Sequence, residues 1–91
     1  MSISVDIFYA RLKQLMGNPD SVEVNGSTVG ECLSDLVGQY PGADSLLFNK
    51  QRQLLRNLYV FVNAESSYKT ELTTPVKEGD KLIIMVFISG G

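Results

Sequence analysis

The residues best suited to chemistry in this sequence are its last ones, Ser89-Gly90-Gly91, which follow an apolar run from Leu82 to Ile88. Without Cβ atoms, Gly90 and Gly91 make a peptide slim enough for a channel that other residues would block. Such a tail presents the α-carboxylate of Gly91, ionised at neutral pH because its reference pKa is about 3.5. A carboxylate is a poor electrophile. Adenylation by a second enzyme using ATP turns it into a mixed anhydride with a good leaving group. The chain end then becomes a group carrier, and the protein supplies binding and position. A frayed, idle terminus is the plain alternative, since glycine is common in such ends.

Little else in the chain could run a reaction by itself. It has 91 residues, 8 Lys and Arg against 10 Asp and Glu, a net charge of −2, and no histidine. The commonest general base and metal ligand is therefore missing. The single cysteine, Cys32, can build neither an internal disulfide nor a thiolate metal cage. It falls on an apolar helix stripe, where a thiol behaves as a small inert hydrophobe. Asp6, Glu23, Glu31, Glu65 and Glu78 are scattered in the manner of solvated acids and caps. No Lys/Arg cluster marks a nucleic-acid or anionic membrane surface. The start, Met1 to Asp6, lacks a basic region, and the longest apolar run is far short of the roughly 20 residues a bilayer needs. The expectation is one cytoplasmic domain over residues 1–91 with a flexible Ser89-Gly90-Gly91 tail, no bound cofactor or metal, and no enzymatic activity of its own.

The elements that would hold such a tail are legible in part. Ile3, Val5 and Ile7 alternate with Ser4 and Asp6 as in a strand with one dry face, extended by Phe8-Tyr9. Ala10 to Met16 fits either a helical turn or an irregular extension, and Gly17 to Asp20 breaks it. Ser21 to Val24 alternates again. Thr28 and Glu31 have capping-box spacing, followed by a stripe of Val29, Cys32, Leu33, Leu36, Val37 and Tyr40 that Pro41-Gly42 stops. A short helix and a loop fit 41–56. Leu58 to Val62 is a β-branched and aromatic strand. Tyr68 to Thr73 fits a short edge strand, Pro75 to Asp80 a turn, and Lys81 to Ile88 a last strand whose apolarity on both sides suits a central place. One helix must cover one face of one mixed sheet. With the first and last strands parallel at its centre, this is the α+β, β-grasp (ubiquitin-like) arrangement.

Four segments then resemble the MoaD/ThiS family of ubiquitin-like sulfur carriers. Phe8-Tyr9-Ala10-Arg11-Leu12-Lys13-Gln14-Leu15-Met16-Gly17 is similar to the signature after the first strand in MoaD proteins. Thr28-Val29 with Leu33 and Leu36 resembles the start of the family helix, and Val60-Phe61-Val62-Asn63 its strand end. Pro75 to Leu82 resembles the turn into the last strand, which Gly90-Gly91 closes. The resemblance implies that Gly91 is adenylated by an E1-like adenylyltransferase of the MoeB/ThiF type using ATP. Gly91 is then thiocarboxylated and inserted into a client such as the molybdopterin synthase large subunit. The chain departs from MoaD where Pro-Pro-Val would lead to the tail, having Val86-Phe87-Ile88-Ser89 instead. Tyr40-Pro41-Gly42 and Arg56 to Asn63 look more like carriers that serve cysteine synthesis. Molybdopterin synthesis ranks first, then cysteine and thiamin-thiazole synthesis.

In MoaD-like proteins the open sheet face docks partners, and Tyr9, Met85, Phe87 and Ile88 are the positions that fit this role here. Two placements stay open for them, an exposed patch or the core, since alternate strand residues face opposite ways. Two other functions also stay open: a β-grasp binding module that is never activated, and a modifier joined to lysine side chains.

Overall fold

The computed structural model describes residues 2–63 and 71–86. Strand β1 (Ser2–Phe8) leads through helix α1 (Ala10–Leu15) to β2 (Val22–Asn25). Helix α2 (Val29–Gln39) follows, then a 3-10 turn (Pro41–Ala43) and a one-turn helix α3 (Asp44–Leu47). Strands β3 (Leu58–Val62) and β4 (Lys81–Val86) complete the described chain. The sheet order is β2-β1-β4-β3. β1 and β4 pair in parallel, with Val5 opposite Leu82 and Phe8 opposite Met85, while β2 and β3 run antiparallel to their neighbours. This is the expected β-grasp arrangement.

One side of the sheet makes the core. Ile3, Val5, Val24, Val60, Leu82 and Ile84 are fully buried against Val29, Cys32, Leu33 and Leu36 of α2. Leu12 of α1 and Leu47 of α3 close the ends. Ala10–Leu15 is thus a real helix, ended by Gly17 at φ +88 and Asn18 at φ 60. Residues 71–73 form a turn with Thr74 N–H on Glu71 C=O, in place of the expected edge strand, and 68–70 lie outside the described residues.

The start of α2 is closed by more than the expected cap. Thr28 Oγ1 accepts from Glu31 N–H at 3.1 Å, the forward half of a capping box. Its return half shifts by one residue, because Glu31 Oε1 accepts both the N–H and the hydroxyl of Ser27, each at 2.8 Å. The N–H groups of Val29 and Gly30 donate to Thr74 and Leu72 carbonyls, so the 72–74 segment absorbs donors the helix cannot.

A second clasp joins β3 to β4. Asn63 stands at φ 62, a conformation asparagine tolerates. Its Oδ1 accepts from Lys81 N–H at 3.0 Å and its Nδ2 donates to Asp80 Oδ1 at 3.1 Å. Asp80 Oδ2 accepts from Lys77 N–H at 2.9 Å across the Gly79 turn.

Two outcomes follow. A Cβ on Gly26 would lie 2.7 Å from the backbone nitrogen of Cys32. Gly26→Ala should therefore cost about 1–3 kcal/mol, read as a lower urea midpoint at unchanged slope. The second concerns acid. The backbone hydrogen bond from Lys77, then the one from Asn63, holds Asp80 below its ordinary carboxylate value, and Ser27 does the same for Glu31. Both carboxyls have lower pKa values folded than unfolded. Their contribution is present above the unfolded values of 3.8 and 4.5 and is lost as pH falls through the folded ones. Urea midpoints taken from pH 5 to pH 2 should fall less steeply for Asp80→Asn than for the natural chain.

Candidate functional site

The face of the sheet away from α2 is built by parity. With Ile3, Val5 and Ile7 turned into the core, Ser4, Asp6 and Phe8 must turn out. On β4 the same rule turns out Lys81, Ile83 and Met85, and on β3 Tyr59 and Phe61. Register lines these up in rows. Phe8, Met85 and Tyr59 form one, and Asp6, Ile83 and Phe61 the next. The Tyr59 and Phe61 rings lie 6.2 Å apart, inclined by 17°. Phe8 is 61% exposed, the most exposed large apolar side chain among the described residues. Asp6 and Lys81, 3.5 Å apart, make a polar flank. Apolar side chains contiguous on a surface mark an interaction site.

Met85 therefore belongs to the open face. Tyr9 does not. β1 ends at Phe8, Tyr9 caps α1, and its half-buried ring packs on the core. The open-face residue at this end is Phe8, and Ile83, Tyr59 and Phe61 join it. Strict alternation from Ile3, Val5 and Ile7 already carries that signal, and following it through to residue 8 would have found Phe8. Phe87, Ile88, Ser89, Gly90 and Gly91 lie outside the described residues. The last described position, Val86, pairs with Leu58 at the end of the sheet where α1 begins.

Other chemistry is sparse. Cys32 is fully buried, and burial first, then Glu31 and Asp35, pushes its thiol up, away from the thiolate a nucleophile needs. Among the described residues no group of three or more His, Cys, Asp or Glu could hold a metal ion. Among the same residues no helix is long and apolar enough to cross a membrane. A groove of about 440 Å³ lies between the α2 start and Phe48, Arg52 and Leu72. Arg52 there is engaged by Asp44 and stacks 4.9 Å over the Phe48 ring.

Comparison with known proteins agrees with this geometry. The chain is 30% identical over 83 residues to the sulfur carrier protein CysO of Mycobacterium tuberculosis, covering 88% of this chain and 89% of that protein. It is 33% identical over 85 residues to small archaeal modifier protein 1 of Haloferax volcanii, covering 91% and 94%. The crystal structure of that modifier superposes with a TM-score of 0.84 at 29% identity over the whole of both chains. In a BexX/CysO complex from Amycolatopsis orientalis, the matching chain is 31% identical over 98% of this chain and 99% of its own, with a TM-score of 0.80. A molybdopterin converting factor subunit from Pyrococcus furiosus shares the fold, with a TM-score of 0.71 at 17% identity over 97% and 99%. Residues 7–91 match the ThiS family, and the chain belongs to it.

Proposed function

We propose that this protein carries sulfur on the carboxylate of Gly91, loaded and unloaded by partner enzymes that dock on the open sheet face. The single observation that carries this reading is the ThiS-family match extending through residue 91, the last of the Ser89-Gly90-Gly91 segment. A carboxylate oxygen of Gly91 attacks the α-phosphorus of ATP on an E1-like adenylyltransferase, and pyrophosphate leaves. A sulfide-level nucleophile then adds to the acyl carbon, the C–O bond to AMP breaks, and a thiocarboxylate remains. Its sulfur next displaces a leaving group at an electrophilic carbon of the client's substrate to give a thioester. Water then cleaves the acyl C–S bond, returning the carboxylate and leaving the sulfur on the product as a thiol. The protein's own part is to bind and to position.

For the client, a CysO-type, cysteine-forming system has better support than molybdopterin synthase. CysO is the relative at 30% identity, whereas the likeness to the converting factor, at 17%, speaks for the fold alone. The resemblance to cysteine-synthesis carriers at Tyr40-Pro41-Gly42 and Arg56 to Asn63 points the same way. A second reading, attachment to lysine side chains of other proteins, is favoured by the 33% identity to an archaeal modifier.

Incubation with the adenylylating enzyme of its own organism, ATP and sulfide should raise the intact mass by about 16 Da, the difference between sulfur and oxygen in the carried group. Unchanged mass with active enzyme would refute the carrier. A chain lacking Gly90 and Gly91 should keep its urea midpoint and gain nothing. For the modifier reading, adducts of higher mass that survive thiol reductant should appear in cell extract and vanish for the shortened chain.

Phe8→Ala should slow loading about tenfold, the effect of losing a central apolar anchor at an interface. As an exposed position, it should leave stability within about 0.5 kcal/mol. Initial rates of mass gain and a urea melt on the same sample read both.

A further inference from the structure

β2 is an edge strand, paired on one side with β1 and, among the described residues, with no strand on the other. A free edge displays the N–H and C=O groups of alternate residues and is a template for another strand. On β2 those residues are Glu23 and Asn25, whose neighbours Val22 and Val24 turn their side chains into the core. Two of these four groups are taken by side chains of α2. Asn25 N–H donates to Asp35 Oδ2 at 3.0 Å, and Glu23 C=O accepts from Gln39 Nε2 at 3.0 Å. The same Gln39 Nε2 also donates to Asp35 Oδ2 at 3.1 Å. Both hydrogens of the Gln39 amide are thereby used. Asp35 and Gln39 are four apart on α2 and so share one flank of the helix.

We infer that the β2 edge is a latent self-pairing surface, fitted to the β2 edge of a second copy of this chain and held shut by Asp35 and Gln39. The geometry selects that occupant. An acceptor on residue 23 and a donor on residue 25 of one edge are complementary to themselves under a two-fold axis. In an antiparallel pair centred on Val24, Asn25 N–H of each copy meets Glu23 C=O of the other. Glu23 then lies opposite Asn25 of the other copy, not opposite another Glu23, so no like charges face each other. Such pairing would join two four-stranded sheets into one of eight. The two α2 side chains block it by occupying the same acceptor and donor that the second copy needs.

The test is the mass in solution of the full chain and of Asp35→Ala/Gln39→Ala, by light scattering after gel filtration up to millimolar concentration. The natural chain should stay near 10.0 kDa, and the double variant should rise toward twice that with concentration. Adding Asn25→Pro to the double variant removes the donor and should restore the monomer. Asp35→Asn, which keeps a carbonyl acceptor, should remain monomeric. A double variant with natural circular dichroism that stays monomeric at millimolar concentration overturns the inference. If the double variant does not fold, hydrogen exchange of the Asn25 amide decides. It should be at least about fivefold faster in Asp35→Ala, which removes the acceptor that holds that amide. An Asn25 amide that exchanges in the natural chain as fast as an unprotected one also overturns it.

Discussion

The parallel pairing of β1 with β4 is the constraint on which the rest of this structure depends. Strands adjacent and parallel cannot be joined by a tight turn, so the whole chain between them must cross over the sheet. It does so on one side. α1, α2 and α3 all contribute their buried residues to the same core, and Leu82 and Ile84 of β4 complete it. Two consequences follow together. The other face keeps its apolar side chains, Phe8, Ile83, Met85 and Phe61, without a covering layer among the described residues. And β4, the last described element, is a central strand that ends at Val86 beside those same side chains.

The segments that carry the family resemblance mostly hold this geometry in place. Asn63, Asp80 and Lys81 bond one another across the end of β3 and the start of β4. With Val62 set opposite Leu82, every later residue of β4 has its face assigned, because a slip of one would turn Leu82 and Ile84 outward. Thr28 and Glu31 close the first turn of α2 and, with Ser27, stitch it to the 72–76 segment. Of these side chains only that of Lys81 reaches the open face, at its polar flank, and it serves the clasp through its backbone N–H. Their chemistry is hydrogen bonding at turns, and their service to function is to aim β4.

Element types were legible where periodicity was clean. The alternation in β1 and β2, the stripe of α2 and the apolar run of β4 all have one physical reading, and the capping residues mark the helix start. Tyr9 carries the same aromatic signal as Phe8, but the alternation from Ile3, Val5 and Ile7 is enough to tell them apart, turning Phe8 to solvent and Tyr9 inward. Two features were not legible. Ala10 to Leu15 is too short for periodicity to separate a helix from an extension, and it is the burial of Leu12 that decides. Segment 71–74 folds as a turn because its carbonyls are needed by Val29 and Gly30, a demand that comes from α2, remote in sequence. The capping of the β2 edge was likewise hidden, since nothing in Asp35 or Gln39 alone says that a strand edge lies within reach.

Taken together, the surfaces of this small body are unequal. The α2 side is covered, and one sheet edge is closed by Asp35 and Gln39. A partner that needs apolar contact is directed to the Phe8, Met85 and Tyr59 row, and that row fixes the tail's origin. From Met85 to Gly91 is six residues. At a limit of about 3.6 Å per residue, the terminal carboxylate can stand no more than about 22 Å from the Met85 backbone. If loading and delivery both use this row, as proposed, an enzyme that grips it must hold its reacting centre within that radius. The same bound would then apply to a loading enzyme and to a client, and the two would take turns on one patch.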